Sequence, residues 1–167
     1  MLSENRETEV EILRSKANTL VSKGKFQEAI PYYDKVIEIE PENIETVLKK
    51  GIALGKLANN AEAISCFDRV LELDAKNSDA IFFKGCALYN LGKYPEAIDC
   101  FEENLKIDSS DISAIKEKGK SLSQLGKYGQ AILCFERALE INPKDSEALL
   151  QRNLTINILG KRLAMYG

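Results

Sequence analysis

Residues 84–101 read KGCALYNLGKYPEAIDCF, and the same pattern returns 34 residues later as KGKSLSQLGKYGQAILCF at residues 118–135. Towards the N-terminus it is found as KGIALGKLANNAEAISCF at residues 50–67 and as KANTLVSKGKFQEAIPYY at residues 16–33. A constant period of this length is typical of repeat proteins, in which each repeat packs only on its neighbours. We therefore expect the repeat, rather than any local motif, to determine the fold.

The period predicts one array over residues 1–167, with repeats at 10–43, 44–77, 78–111 and 112–145 and a half repeat at 146–167. Each repeat contains two segments in which apolar residues recur at intervals of three and four, the spacing of a helix. A glycine commonly ends a helix in the left-handed conformation, and Gly24, Gly92 and Gly126 lie between the two segments. Each linker between repeats ends in an amide or carboxylate residue that suits a helix N-cap: Asn43, Asn77, Asp111 and Asp145.

Small and large side chains alternate between the two helices of each repeat, which is how antiparallel helices pack closely. The small columns are Ala17, Gly51, Gly85, Gly119 and Ala29, Ala63, Ala97, Ala131; the large ones are Leu20, Leu54, Leu88, Leu122 and Tyr33, Phe67, Phe101, Phe135. This set resembles the tetratricopeptide repeat over nearly the whole chain. The resemblance implies an all-α fold, a right-handed superhelical solenoid of antiparallel helix pairs. Asn60 replaces the Phe or Tyr of the other repeats, so the second corner is expected to be the softest.

Composition argues against catalysis. The chain has no histidine, so the usual general base and the commonest metal ligand are both missing. The carboxylates fall at helix starts and on outer faces. We therefore expect no enzyme activity, no cofactor and no metal site. A net charge of −3 gives no reason to attract nucleic acid, and no apolar run has the length of a membrane span.

The four cysteines, at positions 66, 86, 100 and 134, have no C-x-x-C spacing, and three of them occupy one repeat position. Equivalent positions in stacked repeats lie about 10 Å apart, whereas zinc requires about 2.3 Å to each sulfur. We interpret them as reduced thiols of a cytoplasmic protein, with disulfides as the less favoured alternative.

The resemblance also implies a concave binding face, lined by the first helix of each repeat. Its central positions are apolar and its flanks carry cations, which favours a protein or peptide partner; crystal packing, self-packing or occupation by the chain's own end are the alternatives. The predicted groove residues are Arg14, Asn18, Leu48, Ile52, Phe82, Cys86, Tyr89, Lys116 and Lys120.

Two of these residues, Arg14 and Asn18, look like the start of the carboxylate clamp with which some family members hold chaperone C-termini. The other clamp positions hold Lys49, Asp79 and Phe83. Because Asp79 would repel a terminal carboxylate, we expect no tight binding of such tails.

A basic column, Lys16, Lys50, Lys84, Lys118 and Arg152, occupies a position where the family often has leucine. We favour side chains whose stems pack while the charged ends reach acids at preceding helix ends, namely Glu40, Asp74 or Asp108. The alternative is a basic ladder for an acidic partner.

The last segment has more apolar residues than one packed face needs. Three explanations remain open: an imperfect cap, docking on a second copy, or a cut from a longer array. Our hypothesis is that this helix promotes homodimerisation through Leu150 and Leu154.

Overall fold

The computed structural model describes residues 2–166, with side chains described for residues 6–165. This part of the chain forms nine α-helices and no strand. They are α1 (Leu2–Ser22), α2 (Phe26–Ile39), α3 (Ile44–Lys56), α4 (Asn60–Leu73), α5 (Ser78–Asn90), α6 (Tyr94–Ile107), α7 (Ile112–Gln124), α8 (Tyr128–Ile141) and α9 (Ser146–Tyr166). The predicted all-α solenoid class is confirmed by these helices together with the structural relatives described below. Helices α3, α5, α7 and α9 begin within a residue of the repeat boundaries that the sequence predicts.

The chain divides into two compact units, with the division between Asn90 and Leu91. The first unit contains α1 to α5 and the second contains α6 to α9. Within each unit, consecutive helices pack on one another, and α3 also contacts α5 while α7 contacts α9.

The predicted N-caps are confirmed. In each linker the side-chain oxygen of the last residue accepts a hydrogen bond from a backbone N–H in the first turn of the next helix, a contact that satisfies one of the unpaired donors there. The four bonds are Thr46 to Asn43 (2.9 Å), Ala80 to Asn77 (3.0 Å), Ala114 to Asp111 (3.2 Å) and Ala148 to Asp145 (2.8 Å).

The turns inside the helix pairs depend on a left-handed residue, as expected. Gly24, Gly92 and Gly126 have φ values of +72°, +76° and +74°. The second pair has Ala58 at the same position, with φ of +61°. A Cβ in this conformation costs about 1–2 kcal/mol, so this turn carries strain that the other three avoid.

The packing of small against large residues is also confirmed. Ala63, Phe67, Ala131 and Phe135 are at most 1% exposed. A Cβ added at Gly51 would lie 2.7 Å from Cε1 of Phe67, and one added at Gly119 would lie 2.7 Å from Cε1 of Phe135. The first helix of each of these pairs thus comes so close to the aromatic ring of the second that only glycine fits without movement.

The corner that Asn60 occupies is held by an amide pair. Asn60 is 8% exposed, and its Oδ1 accepts a hydrogen bond of 3.4 Å from Nδ2 of Asn90. This is a long hydrogen bond. The greater softness of this corner remains a prediction.

Candidate functional site

Seven of the nine predicted groove residues belong to the first unit, where they lie on the first helix of each of three successive repeats. Arg14 and Asn18 are on α1, Leu48 and Ile52 on α3, and Phe82, Cys86 and Tyr89 on α5. All seven are half-buried. We call this set the first-unit surface. Lys116 and Lys120 are on α7, in the second unit.

The two clamp-like residues are engaged within the protein. The Arg14 guanidinium forms an ion pair of 3.0 Å with Glu40, and the Tyr33 hydroxyl donates a hydrogen bond of 3.1 Å to Oδ1 of Asn18. Glu40 also accepts a hydrogen bond of 2.7 Å from the Asn43 amide. Both residues therefore help to hold α1 against α2 and the following linker.

The apolar centre of the first-unit surface is anchored in the core. Leu48 and Ile52 pack against the buried cluster that contains Val47, Leu54 and Phe67. These two predicted groove residues therefore also belong to the packing of the core. The reason is that α3 contacts α2, α4 and α5 at once, so little of its circumference remains uncovered.

A chain of aromatic contacts links the surface to the core of the first unit. The rings of Phe82 and Phe83 meet edge to face, with centroids 5.4 Å apart. Phe83 in turn stacks on buried Phe67, at 6.2 Å between centroids. Such pairs contribute about 0.5–1.5 kcal/mol beyond the area that they bury. Phe82 is therefore a half-exposed aromatic side chain with restricted motion.

The cysteines are free thiols, and all four are half-buried. Burial raises the pKa of the Cys66 and Cys134 thiols, which keeps them protonated and weakly nucleophilic at neutral pH. Over residues 6–165, no group of three or more Cys, Asp or Glu side chains is arranged to hold a metal ion.

The predicted cationic flank of the second unit is neutralised by acids. Lys116 lies 3.0 Å from Asp145 and 2.8 Å from Glu147, and Lys120 lies 3.2 Å from Glu147 and also pairs with Glu117. The Lys116 hydrogen bond lowers the pKa of Glu147. The pKa of Asp145 is lowered by the backbone N–H of Ala148 and then by Lys116. These lysines thus join α7 to the start of α9, and their role in binding a partner stays a prediction.

The basic column pairs with acids, as predicted, but with different ones. Lys50 lies 2.5 Å from Asp34, Lys84 lies 2.6 Å from Asp68, and Lys118 lies 2.8 Å from Glu102. The prediction of the acidic partners is wrong. The reason is that the carboxylates of Glu40, Asp74 and Asp108 already accept hydrogen bonds within their own linkers. These three lysines therefore form ion pairs between the first helix of one repeat and the second helix of the preceding one. Arg152 instead donates a hydrogen bond of 3.5 Å to Oδ1 of Asn153.

Helix α9 has two exposed apolar rows, one on each side of its buried face, whose most buried residues are Ala148 and Thr155. One row contains the predicted self-association residues Leu150 and Leu154, which are 56% and 47% exposed. The other contains Leu149, Ile156 and Leu163, which are 36%, 45% and 66% exposed. The homodimer that the sequence suggests remains a prediction.

The repeat pattern does not predict the course of the chain at Gly160. This glycine stands at the turn position of the repeat, yet α9 continues through it to Tyr166. Arg162 of this extension lies over the ring of Tyr128, 5.3 Å from its centroid. A cation above an aromatic face is attracted by the ring quadrupole. The arginine in place of the usual Phe or Tyr after Gly-Lys was the available signal.

In residues 2–166, none of the helices combines the length and the apolar character that crossing a membrane requires. Curated proteins offer no match to this sequence. Two families match it: the tetratricopeptide repeat over residues 10–43 and the anaphase-promoting complex, cyclosome, subunit 3 over residues 56–138.

Solved structures with a similar fold include that of MamA, with a TM-score of 0.82 and 24% identity over 91% of this chain and 83% of that one. YrrB, described as having an unusual peptide-binding site, gives 0.72 and 22% identity over 87% of this chain and 75% of that one. The first repeat domain of Spaghetti (RPAP3), bound to the HSP90 peptide SRMEEVD, gives 0.67 and 23% identity over 70% of this chain and 93% of that one. At these identities the likeness shows the fold. The repeat pattern, the helix pairs and the family matches agree, and the chain is a tetratricopeptide-repeat protein.

Proposed function

We propose that this protein is a non-catalytic scaffold that binds a peptide or a helix of a partner protein on the first-unit surface. The observation that carries the proposal is the half-exposed aromatic side chain of Phe82. Its ring contacts Phe83, which in turn stacks on buried Phe67. Rigid aromatic side chains give binding area at a low cost in conformational entropy, and they are enriched among the residues that dominate interface energies. Peptide-bound and peptide-binding relatives with this fold support the same interpretation. The free thiols favour a cytoplasmic location.

The partner segment is expected to be apolar rather than acidic at its end. Arg14 is paired with Glu40, and Asn18 accepts a hydrogen bond from Tyr33. A terminal carboxylate would have to compete with Glu40 for the Arg14 guanidinium and would then meet Asp79. The apolar centre, by contrast, presents the half-buried side chains of Leu48, Ile52 and Phe82.

The proposal is tested by affinity capture followed by reconstitution. A Phe82→Ala, Tyr89→Ala double variant is compared with the parent and with Leu133→Ala, which removes a side chain that is 65% exposed on α8. We expect the double variant to lose a captured protein that Leu133→Ala retains, and the purified pair to bind directly in calorimetry. Equal binding by all three proteins would refute a site at these aromatic residues.

A direct titration tests the expected exclusion of acidic tails. Labelled SRMEEVD peptide is added to the parent protein and anisotropy is recorded. We expect no saturation in the micromolar range. Micromolar or tighter binding that is abolished by Arg14→Ala would mean that the clamp operates despite its internal contacts.

A second candidate function is self-association through α9. The exposed side chains of Leu150 and Leu154 favour it, because exposed apolar patches often mark sites of protein association. Light scattering of the parent and of a Leu150→Lys, Leu154→Lys variant tests this candidate. A dimer that the variant converts to monomer without unfolding supports it, and a parent that is only monomeric at tens of micromolar refutes it.

A further inference from the structure

Leu149 and Ile156 belong to one row of α9. In each complete helix pair, the equivalent row of the first helix is covered. The position of Leu149 corresponds to Val47, Ile81 and Ile115, each 1% exposed, whereas Leu149 is 36% exposed. The position of Ile156 corresponds to Leu54, Leu88 and Leu122, which are 2%, 7% and 4% exposed, whereas Ile156 is 45% exposed. In the preceding pairs the second helix lies over this row. Over α9, no helix of the described chain does so.

A second helix of the usual kind does not fit on this row. The residue between Leu149 and Ile156 is Asn153, which stands where the second and fourth pairs have Gly51 and Gly119. At those glycines a single added Cβ would already lie 2.7 Å from the aromatic ring of the second helix. The side chain of Asn153 therefore occupies the space that the aromatic residue of a docking second helix would need. The first pair accommodates Ala17 beside Tyr33, but the amide of Asn153 is larger than a methyl group and disfavours a docked helix with the repeat's own pattern of Ala followed four residues later by Phe or Tyr.

The spacing along the row instead fits a helix of its own kind. Leu149, Asn153, Ile156, Gly160 and Leu163 follow one another at intervals of four, three, four and three residues. This is the a/d spacing of a coiled coil, with Leu or Ile at each d position. We call these five residues the α9 seam. A single asparagine at an a position is a known device for fixing register and favouring two strands, since its amide can both donate to and accept from the same amide of a second helix.

Charge is compatible with a parallel pairing of two such helices. In a parallel arrangement the flanking position of Arg152 faces Asn157 of the second copy, so no like charges oppose one another. An antiparallel arrangement centred on Asn153 would instead bring the two Arg152 side chains together.

We propose that the α9 seam is the contact between two copies of this chain, with α9 paired in parallel to α9 and Asn153 facing Asn153 of the second copy. This inference rests on the second candidate function, self-association, and deepens it by assigning the contact to the seam rather than to Leu150 and Leu154. Leu154, at a b position, lies outside the pairing, and Leu150 lies at the flanking e position, where lysine is common in coiled coils.

The first test compares the two rows. Light scattering at tens of micromolar is recorded for the parent, for Leu149→Lys, Ile156→Lys and for Leu150→Lys, Leu154→Lys, with circular dichroism melts to show that each remains folded. We expect the seam variant to be monomeric and the other variant to stay dimeric. A dimer that only the Leu150, Leu154 variant dissociates would overturn the seam but leave self-association standing. A monomeric parent, or a dimer that neither variant affects, would overturn the role of α9 altogether.

The second test does not depend on disrupting the interface. In a parallel pair, the residue at Asn153 meets its own copy, so Asn153→Cys should give a disulfide-linked dimer under mild oxidation. Gln151→Cys, on the buried side of α9, is the matched control, and the parent controls for the four native thiols. A crosslinked fraction no larger than that of the control would overturn the register.

Discussion

The second helix pair (α3–α4) and the fourth (α7–α8) have the same frame but present different side chains. In both, a glycine of the first helix lies against an aromatic ring of the second, with the same 2.7 Å to a hypothetical Cβ. At the two outward positions of the first helix, however, α3 has Leu48 and Ile52 where α7 has Lys116 and Lys120. The turns differ as well, with Ala58 in one pair and Gly126 in the other. Contacts inside a pair are thus set by the repeat, while its outer surface is free to vary.

The largest expected effect concerns what the two pairs share. Gly51→Ala and Gly119→Ala should each destabilise the protein by about 1–3 kcal/mol, the usual cost of forcing an extra group into a packed core. Gly119→Ala should cost more, because two ring atoms of Phe135 would lie at 2.7 and 2.9 Å from the new Cβ, against one such atom of Phe67 at Gly51. Urea unfolding of the variants gives the comparison.

Matched controls exist in the same pairs. A Cβ at Gly55 or Gly129 would meet nothing within 4 Å, so Gly55→Ala and Gly129→Ala should be neutral or slightly stabilising. Equal losses of stability at all four glycines would mean that helix propensity, rather than the aromatic ring, controls the result. The first pair already has an alanine at this position, because Ala17 is buried beside Tyr33. The repeat can therefore accommodate a Cβ there.

The next effect concerns the turns, where the two pairs differ. Ala58→Gly should stabilise the protein by about 1 kcal/mol, and Gly126→Ala should destabilise it by about as much, because only the alanine pays for a positive φ. Hydrogen exchange of the α3–α4 and α7–α8 amides would show whether each effect stays within its own pair. The assignment of strain to Ala58 would be contradicted if Ala58→Gly did not raise the stability and Gly126→Ala did not lower it.

The smallest effect concerns the outward side chains. Lys116→Leu gives the fourth pair the residue that the second pair has at Leu48, and it should lower stability at pH 7 by at most about 1 kcal/mol, because the ion pairs are partly screened. The pKa values of Asp145 and Glu147 are lowered in the folded protein, so their contribution is present above the ordinary values of 3.8 and 4.5 and is lost as pH falls through the folded values.

The variant should therefore lose less stability on acidification than the parent. Urea midpoints measured from pH 7 to pH 3 provide the measurement. Lys49→Leu, which removes the exposed pair with Glu45, is the control and should change the profile less. Identical acid profiles for parent and Lys116→Leu would show that Lys116 is not what stabilises these carboxylates, and would leave the Ala148 N–H at Asp145 and Lys120 at Glu147.

Much of the local structure was predictable because each signal acts over a few residues. The caps at Asn43 and Asp145, the left-handed Gly126 and the close approach at Gly119 all follow from residue types at fixed places in the repeat. The partners of the basic column were not predictable in the same way. Lys50 has several acids within reach of its long side chain, and the choice of Asp34 depends on Glu40 being engaged by Arg14 and Asn43.

The candidate site also has features that the repeat predicts and features that depend on contacts between helices. The sequence located the outward positions of the first helices, since these follow from the repeat. It did not reveal that Leu48 and Ile52 are tied to the core, that Arg14 and Asn18 are engaged, or that Lys116 bridges to α9. Each of these depends on which neighbouring side chains meet across helices, a matter of distance in space rather than along the chain.

The sequence by itself determined the fold of this protein, because a 34-residue period with small and large residues in register can bury its apolar faces only by pairing and stacking helices. The tertiary structure decided which charges are neutralised and which apolar rows stay exposed. Gly160 illustrates the difference: its place in the repeat signals a turn, yet in the folded protein Arg162 lies over Tyr128 and the helix continues. The exposed α9 seam follows from that tertiary arrangement, because no second helix within residues 2–166 lies over it.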